Sequence, residues 1–212
     1  MSRLTSIACM LALVLVSCGT IFAQAGALDV YQVTYFDNNW GEGAPLDAGT
    51  IRVINPGLTG SPISPTQGTL CANIYVFDDT QEMIECCSCP VTANGLLTIS
   101  IQDLTENPLT VTPFRGVIKI VSTTPNPTCD PTTNAAATPD LRAFSTHLQN
   151  AAFGGSNHVY PSTLFVTEDE FADAPLSAVE SADLGTICSF VRYLGTGRGR
   201  CDDECDEPIG GD

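Results

Sequence analysis

Residues 70–96 read LCANIYVFDDTQEMIECCSCPVTANGL, and this stretch indicates the fold class of the chain. Successive side chains of a β-strand point to opposite faces of a sheet. In residues 72–77 apolar and aromatic side chains occupy both sets of alternating positions, which is typical of a strand covered on both faces. A turn at residues 78–81 then leads into a second predicted strand from Met83 to Cys87.

Outside this stretch, other short strand patterns alternate with turns. Asn94-Gly95, a dipeptide typical of hairpin turns, joins the central region to the next predicted strand. Further runs rich in β-branched and aromatic residues are separated by Gly and Pro, and the predicted strands outside the central stretch are 28–36, 49–55, 96–101, 116–121 and 158–166. About seven short strands with such turns predict an all-β fold, an antiparallel β-sandwich.

The C-terminal part of the chain carries helix signals. Thr138-Pro139-Asp140 provides an N-cap, a proline at the first helical position and an acidic residue in the first turn. Leu141, Phe144 and Leu148 then share one helix face, so a helix is predicted over 138–148. Thr167 and Glu170 match a capping box for one short turn.

A second helix is predicted from Ser181 to Leu194, where Gly195 would end it. Its apolar positions follow a helical period and comprise Leu184, Ile187, Cys188, Val191 and Leu194. Cys188 therefore faces inward, where it is placed to link the helix to the sheet or to the tail. The fold is expected to be a sandwich with one or two peripheral helices.

The N-terminal 25 residues have the pattern of a secretory signal peptide. Arg3 precedes an almost wholly apolar run, and Ala23-Gln24-Ala25 has the small-x-small pattern of a cleavage site. A competing interpretation takes residues 15–18 as a lipobox, in which Cys18 becomes a lipid anchor. Residues 26–212 are expected to form a single domain without a transmembrane span.

Eight cysteines remain after removal of the signal peptide. An even number in an exported chain indicates a disulfide framework of unknown pairing, formed by Cys71, Cys86, Cys87, Cys89, Cys129, Cys188, Cys201 and Cys205. Cys86 and Cys89 also have the spacing of a zinc or redox motif, but they lie in a strand and lack the helix start that activates a thiol. Because neighbouring strand residues point to opposite faces, Cys86 and Cys87 are expected to pair with separate partners. No cofactor is expected.

The chain is strongly acidic, with 8 Lys plus Arg against 24 Asp plus Glu and a formal net charge of -16. Nucleic acid and anionic membrane surfaces are therefore disfavoured as partners. The acidic tail at 201–207 and the oxygen-rich segment 37–42 could offer ligands to a cation. Neither has the spacing of a calcium loop, so a solvated tail and a turn are the preferred interpretations.

Catalytic motifs are weak in this sequence. His147 and His158 could orient a serine or cysteine, since triads are assembled in space. The segment 154–156 does not match a nucleophile elbow, because no strand and helix flank it. The chain is therefore expected not to be an enzyme.

Two blocks of the sequence resemble a family. Residues 70–96 are similar to the central block of a group of uncharacterised exported, cysteine-rich proteins of environmental bacteria, especially Acidobacteria. Residues 174–180, Leu184, 188–190 and 195–201 are similar to the C-terminal block of that group. The resemblance implies export and a bacterial source, and it implies no activity or binding residues.

Two classes of function follow from these features. The first is a structural or interaction protein of the cell surface, such as a self-assembling filament or surface-layer subunit, which binds other protein subunits or itself through an N-terminal edge strand at 28–36. Ordinary pairing within its own sheet is the alternative for this strand, and it is preferred. The second is a monomeric extracellular ligand-binding module or hydrolase, with Tyr35, Trp40 and Tyr160 as possible contacts. The first class is preferred, and an extracellular or cell-surface location is expected in both.

Overall fold

Nine strands and two helices are present in the computed structural model, which describes residues 30–37, 49–57, 68–105, 113, 115–150, 164–194 and 205. In chain order they are β1 (Tyr31–Asp37), β2 (Thr50–Ile54), β3 (Leu70–Asp78), β4 (Met83–Val91), β5 (Leu96–Ser100), α1 (Ile101–Thr105), β6 (Arg115–Thr123), β7 (Arg142–Asn150), β8 (Leu164–Glu170), β9 (Ala172–Asp173) and α2 (Ala178–Tyr193).

The strands form two antiparallel sheets. The five-stranded sheet has the order β4-β3-β6-β1-β9, and the four-stranded sheet has the order β5-β2-β7-β8. Every strand pair in both sheets is antiparallel. The expected all-β sandwich with a C-terminal helix is therefore confirmed, with two strands more than the sequence predicts.

The strand β3 has side chains packed on both faces, as its sequence predicts. Ile74 and Val76 are buried in the layer between the two sheets, whereas Tyr75 is buried on the opposite face. The inter-sheet layer is almost entirely apolar, and its largest members include Phe36, Ile51, Leu70, Ile74, Ile99, Ile118, Ile120 and Leu141.

Helix α2 covers the opposite face of the five-stranded sheet, which we call the helix-covered face. Leu184, Cys188 and Val191 are buried there against Tyr31 and Tyr75. The helix starts three residues earlier than predicted, because the Ser177 side chain accepts a hydrogen bond from the Glu180 backbone N–H and caps it. Ile187 and Leu194, which the sequence places on the inward stripe, are exposed.

The helix predicted over 138–148 is wrong, because residues 142–150 form strand β7. This strand lies between β2 and β8 and pairs with both of them. Asp140 has a φ of 112°, which is incompatible with the first turn of a right-handed helix. The partner strands on both sides therefore override the local capping signal.

Three smaller predictions also need correction. Thr167 and Glu170 lie in β8 rather than in a helical turn. The turn at Asn94 and Gly95 is present, but it connects β4 to β5 in different sheets and so closes no hairpin. Ile101, the predicted last residue of the strand at 96–101, instead begins the short helix α1.

The N-terminal strand β1 is paired inside its own sheet. It pairs with β6 over its whole length, and β9 lies on its other side. The contact with β9 involves only Gln32 and Val33, so on this outer side no described strand pairs with Thr34 to Asp37.

Candidate functional site

Three disulfides connect distant parts of the chain. Cys71 is bonded to Cys129, Cys86 to Cys188, and Cys89 to Cys205. Cys87 is also disulfide-bonded. Cys201 lies outside the described residues.

The cysteines of β4 point to different sides of the sheet. Cys86 is buried on the helix-covered face, where its bond to Cys188 fixes the middle of α2 to the sheet edge. Cys87 and Cys89 are buried in the inter-sheet layer. The expected separation of Cys86 and Cys87 is thus confirmed, and a bridge within the C-x-x-C motif is excluded because Cys86 and Cys89 have separate partners.

A polar network fills the helix-covered face beside the helix. The Tyr75 hydroxyl donates to the Pro131 carbonyl at 2.7 Å and to Asn134 Oδ1 at 3.1 Å. Asn73 Nδ2 also donates to Asn134 Oδ1, at 2.9 Å, and Asn73 Oδ1 accepts from the Ser88 hydroxyl. These bonds hold the segment after Cys129 against the sheet. Burial is the main cause that raises the pKa of Tyr75 above its ordinary value.

The start of α2 is held by the only lysine of the chain. Lys119 Nζ donates to Glu180 Oε1 at 2.6 Å, and the Tyr31 hydroxyl donates to the same oxygen at 2.9 Å. The hydrogen bond from Lys119 is the main cause that lowers the pKa of Glu180. Burial, followed by Glu180, raises the pKa of Tyr31. With the disulfide at Cys188, this ion pair fixes α2 at two points.

The outer side of α2 exposes large apolar side chains to solvent. Tyr193 is 87 % exposed and Phe190 is 63 % exposed. Val179, Ile187 and Leu194 are exposed as well, so α2 and its C-cap contribute five of the nine exposed large apolar residues in the described chain. Exposed apolar clusters of this kind mark interaction surfaces more often than scattered single residues do.

An open groove of about 450 Å³ runs along one side of α2. Small and hydroxylated side chains line it, namely Thr132, Thr133, Asn134, Ala135, Ala178, Ser181, Ala182, Gly185, Thr186 and Ser189. At Gly185 the backbone of Thr132 approaches so closely that an added Cβ would collide with its carbonyl. The loop and the helix therefore meet at this glycine.

A serine and a histidine meet between the sheets. Ser145 Oγ lies 2.6 Å from His147 Nε2, and the His147 ring stacks on Tyr35 with 4.5 Å between ring centroids. Burial lowers the pKa of His147, and the charge of Asp169 on β8 opposes that shift. The sequence does not single out Ser145 as the partner of His147, because residues two positions apart share a face in a strand but not in the helix predicted there.

This pair lacks the access that a hydrolytic site needs. Ser145 is completely buried, and its hydroxyl also lies 3.4 Å from the Thr34 hydroxyl. A nucleophile must come within about 3 Å of a substrate carbonyl, which solvent-free packing around Ser145 prevents in this conformation. The arrangement therefore fits a contact between sheets better than a catalytic dyad.

Other candidates from the sequence fall partly or wholly outside the described residues. Trp40, His158, Tyr160, and the acidic tail apart from Cys205 belong to this group. The described residues contain no group of three or more His, Cys, Asp or Glu side chains that could hold a metal ion. Helices long and apolar enough to cross a membrane are likewise absent from the described part of the chain.

No protein-family model, curated protein or solved structure matches the chain. The disulfides fit an oxidising environment, because such bonds persist outside the reducing cytosol. Among the described residues, the outer side of α2 carries the largest group of exposed large apolar side chains.

Proposed function

We propose that the chain is an exported bacterial protein with a structural or interaction role at the cell surface, and that it self-associates through the outer side of α2. The proposed role involves no catalysis, and the proposed partner is a second copy of the same chain. The observation that carries it is an uncharged, partly apolar line of residues on a helix that is otherwise fixed to the sheet.

This line, which we call the seam, consists of Val179, Ala182, Thr186, Ser189 and Tyr193. Its members are alternately three and four residues apart, the spacing by which one helix packs along another. All five are exposed. The seam is thus a helix-packing surface for which the described chain provides no second helix.

Two of the three hydroxyls in the seam need no partner from another protein. Thr186 Oγ1 donates to the Ala182 carbonyl at 2.8 Å, and Ser189 Oγ donates to the Gly185 carbonyl at 2.9 Å. Burial of Thr186 and Ser189 would therefore leave neither donor unsatisfied. Apart from the Tyr193 hydroxyl, which needs a partner or contact with water, the seam can lose its water at little polar cost.

A second copy fits the seam when the two helices run antiparallel. With a two-fold axis between Thr186 and Ser189, Tyr193 of one copy lies against Ala182 of the other, so a large side chain meets a small one. Antiparallel helices also bring opposite ends of their dipoles together. Because the seam carries no charge, two strongly acidic copies can meet where no carboxylate faces another.

The β8 edge of the four-stranded sheet supports association less well. This outermost strand carries Glu168, Asp169 and Glu170, and charges on an edge strand oppose pairing with another strand. Glu168 and Glu170 form ion pairs with Arg52 on β2 and Arg142 on β7. Strand addition at this edge is therefore disfavoured.

The test compares seam variants of the exported, oxidised protein by sedimentation and light scattering. Ala182→Glu places a charge in the seam, and Tyr193→Ser removes its largest side chain. We expect wild type to dimerise and each variant to dimerise at least about tenfold more weakly, a loss of about 1.4 kcal/mol. Intact mass identifies the mature N-terminus, which we expect at Gly26.

Val166→Ser is the matched control, because Val166 is an apolar residue that is 63 % exposed on the other sheet. It should leave dimerisation unchanged. The proposal is wrong if wild type stays monomeric at every concentration, or if the seam variants and the control associate alike.

A further inference from the structure

A second feature, independent of the seam, lies where β1 faces β7. Tyr35 and Thr34 come from the five-stranded sheet, whereas Ser145 and His147 come from the four-stranded sheet. The ring stack between Tyr35 and His147 and the hydroxyl contact between Thr34 and Ser145 join the two sheets. The short contact between Ser145 Oγ and His147 Nε2 connects these two links.

This contact lies at the weakly paired half of β1. On its outer side, β9 pairs only with Gln32 and Val33. Among the described residues, Thr34 to Asp37 are paired with β6 alone. The second half of β1 therefore depends on one neighbouring strand, on the buried ring of Phe36 and on the contact with His147.

The protonation state of His147 determines which atoms donate and which accept in this contact. Neutral His147 can accept the Ser145 proton at Nε2, and the Ser145 oxygen can then accept from Thr34. Protonated His147 must donate at Nε2, so the Ser145 hydroxyl has to turn its proton away. The same step places a positive charge on a side chain that is only 6 % exposed.

The charged and titratable groups around His147 are few. Asp169 on β8 favours the protonated form, and burial opposes it more strongly. On β1 the titratable residues are Tyr35, which covers the ring, Asp37, two positions further along the strand, and Tyr31, which is bonded to Glu180. On β2 the only charged residue is Arg52, which is bonded to Glu168. Of these groups, Asp169 is the one that favours the positive charge of protonated His147 and so offsets part of the cost of burying it.

We propose that His147 is an acid-sensitive latch between the sheets, whose protonation breaks the contacts of Thr34 and Tyr35 with the four-stranded sheet and so loosens residues 34–37 around the buried Phe36. The loosened segment bears the exposed Tyr35 and an outer edge on which no described strand pairs after Val33. Acidification would therefore change which backbone groups of the sandwich are open to solvent, without unfolding the disulfide-bonded side of the sheet.

The test measures amide hydrogen exchange of residues 34–37 as the pH falls from about 8 to about 4.5, after correction for the intrinsic rate. We expect exchange to rise as His147 is protonated, with a midpoint below the ordinary histidine pKa of 6.5. Well below the midpoint, the exchange rate should have risen about tenfold for each pH unit that separates the midpoint from 6.5. Amides of β2 should not follow this transition.

The chain has two histidines, which gives a matched pair of variants. His147→Gln should abolish the pH-dependent rise, whereas His158→Gln should keep it. Exchange that still rises in folded His147→Gln overturns the latch. Should that variant fail to fold, the NMR titration of wild type decides, because a His147 midpoint at or above 6.5, or a titration without faster exchange, also overturns it.

Discussion

The two faces of the five-stranded sheet are stabilised in different ways. The face toward the four-stranded sheet is packed by apolar side chains such as Ile74, Ile118 and Ile120. The helix-covered face has a smaller apolar cluster around Leu184 and Val191. It relies in addition on a disulfide, an ion pair and the hydrogen bonds of Asn73 and Tyr75. The same strands contribute to both faces, because their side chains alternate.

This difference reflects how much surface each covering element can bury. A whole sheet removes a broad apolar area from water, and burial contributes about 25 cal/mol per Å². One helix covers only part of the opposite face, so directional bonds and covalent links add to its attachment there. The helix-covered face consequently provides a fixed platform, on which the outer side of α2 remains available to a partner.

The largest effect should come from the apolar face. Ile74→Ala removes a completely buried side chain from the middle of the inter-sheet layer. We expect a loss of about 2–5 kcal/mol in the free energy of unfolding, because the sheets cannot close the cavity fully. Denaturant unfolding of the oxidised protein measures it. A loss below about 1 kcal/mol would show that this layer is not tightly packed.

A slightly smaller loss is expected when the helix is released. Replacing both Cys86 and Cys188 with Ser removes a link across 102 residues of sequence. We expect a loss of about 2–4 kcal/mol, together with faster amide exchange in α2 than in β3 and β6. Equal acceleration in all three elements would contradict the separate stabilisation of the two faces.

The smallest effect concerns the ion pair at the start of α2. Glu180→Gln should cost about 0.5 kcal/mol at neutral pH, since both side chains are partly exposed and screened by solvent. The fold lowers the pKa of Glu180, so its stabilising contribution is present above the ordinary glutamate pKa of 4.5. That contribution is lost as the pH falls through the lowered value. Stability curves of wild type and variant should therefore converge in acid, and parallel curves would rule out this linkage.

Much of the sandwich could be predicted from the sequence. The pattern in β3 indicates two covered faces because Ile74 and Val76 on one face, and Tyr75 and Phe77 on the other, are all apolar or aromatic. Helix α2 was predictable from Leu184, Cys188 and Val191, whose spacing matches a buried helical stripe. The predicted buried stripe includes two residues too many, since Ile187 and Leu194 satisfy the same period but are exposed to solvent.

Strand β7 could not be predicted in the same way. Its inward positions include Ser145 and His147, so the alternation of apolar and polar residues that marks a strand is lost. Thr138-Pro139-Asp140 meanwhile imitates a helix start. Pairing with β2 and β8 determines the outcome, and such long-range pairing leaves no mark within a short window of sequence.

The candidate sites were only partly predictable for related reasons. The cysteines could be recognised by type and number, but their pairing depends on which loop, helix and tail segments pack against the strands. The contact of His147 with Tyr35 joins two sheets and depends on the same topology. The seam on α2 becomes visible only once the buried side of the helix is known, because both sides carry apolar residues.

The disulfides of β4 also set an order for oxidation during synthesis. Cys71 and Cys129 can pair as soon as residue 129 has been made. Cys86 and Cys89 must wait for residues 188 and 205. In that interval the two closely spaced thiols in β4 are open to wrong partners. The three described disulfides are therefore completed only after residue 205 has been made, and a chain truncated before residue 188 would retain both thiols at the edge of the five-stranded sheet.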